Sequence, residues 1–324
     1  MPKAIVVEKI GAPSVMKFKE VTVKKPGKGE VTVQANAIGV NFIDIYQRTG
    51  LYPVELPFTP GGELCGEVTA VGAGVKGLKV GDRVATGTAG IGCYAESANI
   101  NAGRLVKIPK EISDDEAAAM MLKGLTVQYL IRQTYRVKKG DTILVHAAAG
   151  GVGLILCQWA KSLGATVIGT VSSPAKARLA KAHGCDYPIN YSKQDFVKRV
   201  KTITKGQGVP VVYDSIGKAT FPASLDCLQK CGLFVSYGNA SGPVPPFPPA
   251  LLAQKGSLFM TRPTLFNYAS TPQELRKMAN DLINVVKSGT VKIEVNHHYA
   301  LKDAAKAHRD LAARKTTGSI VLVP

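Results

Sequence analysis

Short apolar runs broken by glycine, proline and asparagine fill the first hundred residues of the chain. The runs VTVQANAIGV, CGEVTAVGAGV and GDRVATG show no helical period longer than a turn or two. Such runs are typical of an irregular β-barrel or of curled antiparallel sheets. The pattern therefore predicts a first lobe that is mainly β.

A helical pattern begins at Ser113, where SDDEAAAMMLKGLTVQYLIRQTY opens with a capping serine and three acids in the first turn. Beyond it, buried strand-like runs such as DTILVHAA, TVIGTV and PVVYDSIG alternate with helical segments. Helices are predicted over 152–163, 174–182, 194–203, 219–230 and 271–287. The alternation predicts an α/β lobe with a doubly wound parallel sheet, the Rossmann arrangement.

These two textures divide the chain into two predicted domains. Residues 1–122 and 267–324 form the mainly β domain, and residues 123–266 form the domain with the parallel sheet. A chain of 324 residues is long enough for two hydrophobic cores, which agrees with this division.

Composition narrows the classes of protein to which the chain can belong. No stretch approaches the roughly eighteen consecutive apolar residues of a membrane-spanning helix, so we expect no membrane association. Glu8 and Lys9 interrupt the first apolar run, which leaves no secretory signal. The six cysteines lack disulfide-framework spacing, as in a reducing compartment. We therefore expect a cytoplasmic protein.

The net charge of +18 is concentrated in the middle of the chain. Segment 123–266 holds 18 basic and 5 acidic residues, an excess of +13. Such a segment attracts polyanions, either a phosphorylated cofactor or a nucleic acid. The alternative is that scattered lysines simply cover solvated faces.

The segment VHAAAGGVG has the spacing of a dinucleotide-binding turn, with Ala148, Gly150 and Gly153 at the three glycine positions. Glycine lets the backbone approach a pyrophosphate, and the start of the next helix, at Gly151 and Val152, offers free N–H groups. The alternative is a strand-to-helix turn that only needs small residues. The strands on both sides favour a dinucleotide.

The second strand of this predicted unit ends without the acidic residue that holds the ribose 2′-hydroxyl of NAD. Ser172, Ser173 and Lys176 follow it instead, and Tyr191 follows the third strand. A neutral end with a nearby cation suits a 2′-phosphate, so NADPH is the predicted cofactor. Alternatively, Lys176 is an ordinary residue of the helix surface.

Several segments together resemble one family. NFIDIYQRTGLYP, LKGLTVQYLIRQTY, HAAAGGVGLILCQWAK, VVYDSIG and GSLFMTRPTLF resemble the NADPH-dependent quinone oxidoreductases of the zeta-crystallin type, in the medium-chain dehydrogenase/reductase superfamily. The resemblance implies a GroES-like catalytic domain, a Rossmann domain, and a cleft between them for nicotinamide and substrate. It also implies a homodimer joined through a strand over 257–262.

The resemblance also implies site residues. Those expected at the catalytic centre are Asn41, Tyr46 and Tyr52. Those expected to bind the cofactor, including the residues already derived from the turn and the second strand, are Asn41, Ile45, Thr126, Tyr129, Ala148, Gly150, Gly151, Val152, Gly153, Ser172, Ser173, Lys176, Tyr191, Ser215, Tyr237, Gly238, Asn239, Arg262 and Arg314.

A metal is not expected, although one branch of the superfamily depends on zinc. The sequence has neither three Cys or His ligands for a catalytic zinc nor four clustered cysteines for a structural one. Gly61-Gly62-Glu63 stands where zinc alcohol dehydrogenases carry Gly-His-Glu. His297 and His298 are adjacent in a predicted strand and point to opposite faces.

The predicted reaction is NADPH-dependent reduction of a quinone, because a quinone accepts hydride readily and the developing phenolate needs only hydrogen-bond donors or water. An enone or alkenal reductase would use the same cofactor and domains. A zinc-free alcohol dehydrogenase is disfavoured, since it would form an alkoxide without a Lewis acid. The basic middle segment also leaves open an RNA-binding protein on a reductase fold, although no RNA-recognition signature is present.

Overall fold

The computed structural model describes every residue from Met1 to Pro324. Its chain divides into two compact units. The first unit comprises Met1–Leu125, Tyr268–Lys287 and Ile293–Pro324. The second comprises Thr126–Asn267 and Ser288–Lys292.

Fifteen strands form the sheets of the two units. In chain order they are β1 Lys3–Val7, β2 Met16–Glu20, β3 Glu30–Val40, β4 Leu64–Val71, β5 Arg83–Thr86, β6 Ser97–Asn101, β7 Val106–Lys107, β8 Thr142–Val145, β9 Thr166–Val171, β10 Tyr187–Asn190, β11 Val209–Asp214, β12 Leu228–Ser236, β13 Phe259–Thr261, β14 Val295–Ala300 and β15 Ser319–Val323.

Nine α-helices accompany the strands. They are α1 Phe42–Thr49, α2 Asp114–Tyr129, α3 Gly151–Ser162, α4 Pro174–Ala182, α5 Phe196–Ile203, α6 Ala250–Gln254, α7 Leu265–Tyr268, α8 Pro272–Lys287 and α9 Ala304–Ala312. A π-helical turn over Leu130–Thr134 continues α2. No helix combines the length and the apolar character that a bilayer crossing requires.

The first unit is mainly β. Its seven-stranded sheet has the order β14-β15-β3-β4-β5-β7, with β6 paired to β3, and β1 and β2 form a separate ribbon. Only β14 and β15 run parallel. Strand β3 contributes the fully buried Val31, Val33 and Ile38 to the hydrophobic core of this unit. The predicted mainly β architecture is confirmed.

The second unit contains the predicted doubly wound sheet. Its six strands are all parallel and have the order β10-β9-β8-β11-β12-β13. On one side of the sheet the chain order runs outwards from β8 to β9 and β10. On the other side it runs outwards from β11 to β12 and β13. In such sheets, ligands bind at the carboxyl ends of the strands where the direction of succession reverses.

The predicted helix over 219–230 is wrong. A short 3₁₀ turn occupies Ala223–Cys227, and β12 begins at Leu228. The apolar spacing that suggested a helix belongs instead to Phe221, Leu225 and Leu228, which are buried in the core of the second unit. Proline at 222 and pairing of β12 with both β11 and β13 outweigh the weak helical pattern.

Candidate functional site

The predicted dinucleotide turn lies at the carboxyl end of β8. The chain bends at Ala147, whose φ is 55°, and enters α3 at Gly151. A Cβ on Gly153 would lie 2.3 Å from the Ala147 carbonyl oxygen, so the helix packs this closely only with glycine there. A Cβ on Gly150 would meet that oxygen at 3.3 Å and nothing else within 4 Å. The turn thus combines tight helix packing with an open backbone.

Alanine at the first fingerprint position has a structural explanation. The Ala148 N–H donates to the carbonyl of Thr170 on β9 at 3.0 Å. A Cβ on Gly169, the preceding residue of β9, would lie only 2.6 Å from the Ala148 Cβ. The missing side chain of Gly169 therefore makes the room that the Ala148 methyl group fills.

The start of α3 offers backbone donors to an anion. Gly150 is the N-cap and has no side chain to cap the helix, and the first intrahelical bond runs from the Leu154 N–H to the Gly150 carbonyl. The N–H groups of Gly151, Val152 and Gly153 therefore precede the helical hydrogen-bond ladder. Together with the helix dipole, they fit the diphosphate of a dinucleotide.

The residues predicted to bind a 2′-phosphate lie at the carboxyl end of β9. Ser173 caps α4, and its hydroxyl oxygen accepts the Lys176 N–H at 3.3 Å. The Ser192 hydroxyl donates to the Ser172 carbonyl at 3.2 Å, which fixes the neighbouring loop. Tyr191 is 42% exposed. The structure therefore brings Ser172, Ser173, Lys176 and Tyr191 to one edge, with no carboxylate among residues 171–176.

The ends of β11 and β12 form the next part of this edge. The Tyr237 N–H donates to the Asp214 carbonyl at 2.8 Å. A Cβ on Gly238 would lie 2.5 Å from the Ser215 carbonyl oxygen, so glycine permits the two loops to touch. Asn239 follows directly in the same loop. The predicted residues of these two loops are therefore neighbours.

The two predicted arginines belong to different units. Arg262 directly follows β13, and a terminal guanidinium nitrogen donates to the Ser236 carbonyl at 2.7 Å. Arg262 thus lies at the edge formed by the strand ends. Arg314 is exposed in the turn after α9, with a φ of 58°. Its contact with a cofactor stays a prediction.

A buried polar network around Asp214 stabilises the loops at this edge. The Asp214 carboxylate accepts from the N–H groups of Ile216 and Gly217 at 2.7 and 2.9 Å. It also accepts the Ser224 hydroxyl at 3.2 Å, and His146 Nε2 lies 2.9 Å from the same hydroxyl. Burial lowers the pKa of His146, and the nearby Asp214 charge opposes this. The network connects the loop after β11 to His146, the residue that follows β8.

The end of α2 contributes two more predicted residues. Thr126 and Tyr129 are 7% and 3% exposed, within the last turn of the helix. The Tyr213 hydroxyl donates to the Leu130 carbonyl at 3.2 Å, which anchors this end of α2 to β11. Their contact with the cofactor stays a prediction.

In the first unit, the predicted catalytic residues lie on and after α1. Asn41 caps this helix, and its N–H donates to Asp44 Oδ2 at 2.8 Å. Ile45 and Tyr46 are buried. The Tyr46 and Tyr52 rings pack edge to face with centroids 5.2 Å apart. The structure thus brings the two tyrosines together, and their contact with a substrate stays a prediction.

A buried cluster that was not predicted surrounds the side chain of Asn41. Its amide donates to Glu63 Oε2 at 2.7 Å, and the Lys123 ammonium lies 3.0 Å from the same oxygen. The Leu122 N–H donates to Glu63 Oε1 at 2.7 Å. The carboxylate of Glu63, the residue before β4, therefore joins the cap of α1 to the middle of α2.

A directional hydrogen-bond chain leads to Asp44 from the other side. Arg48 can only donate, so its bond to His308 Nδ1 at 3.3 Å places the imidazole proton on Nε2. Nε2 then donates to the Tyr94 hydroxyl at 3.0 Å, which donates to Asp44 at 2.8 Å. Burial lowers the pKa of His308 to about 3, with the Arg48 charge adding to the effect. Burial raises the pKa of Asp44 to about 7.

Comparison with known proteins identifies the family. The alcohol dehydrogenase GroES-like domain matches residues 27–110, and the zinc-binding dehydrogenase family matches residues 151–283. A quinone oxidoreductase of Pseudomonas aeruginosa is 53% identical over the full length of both chains. The chain belongs to the quinone oxidoreductase family. This places it in the medium-chain dehydrogenase/reductase superfamily, as the sequence motifs predicted.

Two further relatives are informative. The crystal structure of Escherichia coli quinone oxidoreductase complexed with NADPH has a TM-score of 0.98 and 48% identity, and the match covers 99% of this chain and all of that one. A 2-haloacrylate reductase of Burkholderia sp is 46% identical over all of this chain and 99% of its own. The GroES-like and Rossmann domains expected from the resemblance are confirmed.

The donor groups of this quinone oxidoreductase family member do not fit zinc, despite the name of one matching family. No three His, Cys, Asp or Glu side chains cluster as metal ligands would. The cluster in the first unit combines the Glu63 carboxylate with the Asn41 amide and the Lys123 ammonium, and an ammonium has no lone pair for a metal. His297 and His298 alternate in burial along β14 and have separate partners.

The two buried networks are what sequence patterns missed. His146 and Asp214 each end a strand-like apolar run, and Lys123 is a single charge within the apolar stretch AAAMMLKGLTV. An isolated ionisable residue in an apolar run is the signal that could have marked them, because such residues are almost never fully buried unless paired.

Proposed function

We propose that the protein catalyses the NADPH-dependent reduction of quinones. The observation that carries the cofactor choice is the end of β9, where Ser173 and Lys176 occupy the place of the acidic residue of NAD sites. Relatives named quinone oxidoreductase, 53% and 48% identical along the chain, support the substrate class.

The residues of the second unit fit the proposed cofactor. The first turn of α3 would hold the diphosphate, and Lys176 with the two serines before it would hold the 2′-phosphate. The loops at Ser215 and Tyr237–Asn239 would hold the nicotinamide end. NADPH, when bound, supplies a hydride. The chain contributes binding and orientation of that cofactor.

The proposed substrate residues are the tyrosine pair of the first unit and Asn41. Tyr46 and Tyr52 each carry a hydroxyl that can donate to a quinone oxygen, and their edge-to-face packing restricts both rings. Asn41 is held at its backbone by Asp44 and at its side chain by Glu63. Such fixed donors suit a reaction in which negative charge develops on oxygen.

A second candidate is reduction of an activated carbon–carbon double bond. It is supported by the 2-haloacrylate reductase of Burkholderia sp, which is 46% identical along the chain. The same cofactor-binding residues would serve this reaction, so the two candidates differ in the substrate alone.

A substrate panel tests the proposal. Oxidation of NADPH is measured with benzoquinone, naphthoquinone, an alkenal and 2-chloroacrylate, and reduction of NADP⁺ is measured with a secondary alcohol. Each assay is repeated with the cofactor that lacks the 2′-phosphate. We expect kcat/KM to be highest with a quinone and with NADPH. Highest activity with the alkenal or the haloacrylate would establish the second candidate, and activity with the alcohol alone would overturn both.

We also propose a homodimer joined through the predicted strand 257–262. Supporting it, β13 is an edge strand of the six-stranded sheet and leaves Phe259 62% exposed. Open edges and large exposed apolar side chains are features of association surfaces. Sedimentation should give a dimer for the wild type and a monomer for Phe259→Lys. A monomeric wild type at micromolar concentration would contradict the proposal.

The cytoplasm is the proposed compartment, because all six cysteines are free thiols and five of them are buried. RNA binding through the basic segment 123–266 stays an alternative role. A gel shift over a salt series tests it, since binding through Lys and Arg weakens steeply with salt. Displacement of RNA by NADPH would support a shared basic surface, and no shift at moderate salt would remove the idea.

A further inference from the structure

The most buried lysine–carboxylate pair of the chain joins Lys123 to Glu63 in the first unit. Their side chains are 7% and 0% exposed. The lysine side chains of the other such pairs are 31% to 55% exposed. The Lys123 ammonium is therefore a charge that the fold has removed from water.

Glu63 fixes the position of this ammonium. Its carboxylate also accepts the Leu122 N–H and the Asn41 amide, each at 2.7 Å. A Cβ on Gly39 of β3 would lie 2.1 Å from Glu63 Oε2, so a glycine makes room for the carboxylate. The ammonium and the Asn41 amide consequently meet at one oxygen, within 3.0 Å of it.

The ammonium has donor capacity beyond this pair. A lysine carries three N–H groups, and Glu63 is the one acceptor that the protein gives Lys123. A gain in stability is a weak explanation for a buried lysine, because desolvation offsets much of the attraction in a buried pair and apolar residues of similar volume often serve as well. A buried, fixed cation with unused donors is suited to an anionic ligand.

A second buried carboxyl group lies near the Lys123–Glu63 pair. Asp44 lies close enough for its pKa to respond to both Lys123 and Glu63, and burial raises that pKa to about 7. Near neutral pH, Asp44 therefore carries its proton for part of the time.

We propose that the Lys123 ammonium binds the anionic oxygen of the reduced substrate, the phenolate oxygen of a hydroquinone monoanion. This inference rests on the proposed function, since it requires a quinone beside Asn41. A quinone that has gained a hydride equivalent carries one negative oxygen until a proton from water reaches it. A preorganised N–H donor with a full charge stabilises that oxygen in a site removed from water.

A phenolate probe tests this subsite without turnover. 4-Nitrophenol is titrated into the protein, with and without saturating NADP⁺, and visible absorbance distinguishes its ionised form from its neutral form. We expect the wild type to bind the phenolate about 10- to 100-fold more tightly than the phenol, which is the range of one charge-assisted hydrogen bond. The apparent pKa of the bound probe falls accordingly.

Matched variants separate the cation from its structural role. Lys123→Met alone leaves Glu63 buried without its partner and can unfold the unit. Lys123→Met/Glu63→Gln removes both charges together. The introduced glutamine still offers an oxygen that can accept the Asn41 amide N–H. Glu63→Gln alone keeps the lysine but removes its counter-charge, so its urea-induced unfolding is measured beside that of the double variant. We expect the double variant to lose the preference for phenolate and Glu63→Gln to retain or increase it.

The outcomes separate the inference from the proposed function. If the double variant unfolds at the same urea concentration as the wild type and still prefers phenolate equally, Lys123 does not bind the anionic oxygen. If the wild type binds phenolate through Lys123 but reduces no quinone in the substrate panel, the subsite stands and the proposed function falls.

Discussion

The two units of the molecule carry their candidate chemistry in different ways. In the second unit, the proposed cofactor site consists of loops and a helix start at successive strand ends, and the backbone supplies much of it. In the first unit, the polar residues come from distant parts of the sequence, since the Asn41 amide and the Lys123 ammonium meet at the Glu63 carboxylate. A backbone site is visible in a local pattern, whereas a side-chain cluster exists only after folding.

Each unit nevertheless depends on a buried acid. Asp214 organises the loop after β11 through hydrogen bonds to backbone and hydroxyl donors. Asp44 holds the cap of α1 and receives the hydrogen-bond chain from Arg48. The difference is that four donors surround Asp214, whereas Asp44 Oδ1 has no partner in the protein. The comparison predicts that Asp214 is chiefly structural. It also predicts that the contribution of Asp44 to stability depends on pH.

Asp214→Ala should have the largest effect on stability. It leaves the donors of Ile216, Gly217 and Thr220 without their acceptor in the core, so we expect a loss of at least about 3 kcal/mol in the free energy of unfolding. Urea-induced unfolding measures it. The control is Asp226→Ala, which removes a 40% exposed partner of Lys255 and should cost about 1 kcal/mol or less. Equal effects would contradict the structural role.

Gly153→Ala and Gly150→Ala should separate packing from cofactor binding. The first places a methyl group 2.3 Å from the Ala147 oxygen, so we expect a loss of about 1 to 3 kcal/mol in stability. The second meets one atom, at 3.3 Å, and should leave stability nearly unchanged while weakening NADPH binding. Thermal unfolding and NADPH titration check the pair. A stable Gly153→Ala variant would show that the turn is less tightly packed than described.

Asp44→Asn should remove a part of the stability that depends on pH. The folded-state pKa of Asp44 is about 7, above its ordinary 3.8, so the folded protein holds this proton more tightly than the unfolded chain. Its contribution is present below about pH 4 and is lost as the pH rises through about 7. The wild type should therefore lose up to about 1.4 kcal/mol per pH unit relative to the variant in that window.

His308 provides the internal control for this measurement. Because its folded-state pKa is lowered to about 3, its contribution to stability is lost as the pH falls from about 6.5 towards 3. This effect is common to the wild type and to Asp44→Asn, so it cancels in their difference. A difference that does not change between about pH 5 and pH 8 would contradict the account of Asp44.

The strand and helix pattern of the second unit could be predicted because its signals are local. The spacing of Ala148, Gly150 and Gly153 and the missing acid after β9 need no tertiary information. The false helix over 219–230 shows the limit, since pairing of β12 with two strands decided that segment. Lys123 and Glu63 are sixty residues apart in sequence, so no window of sequence reveals their contact.

Direct titration of the two nicotinamide cofactors tests the central claim most closely. Calorimetry should show that the wild type binds NADPH at least about tenfold more tightly than NADH, the effect of one charge-assisted contact. Lys176→Ala should abolish most of that preference, and Lys181→Ala, an exposed lysine in the last turn of the same helix, should keep it. Equal affinity of the wild type for NADPH and NADH would contradict the account.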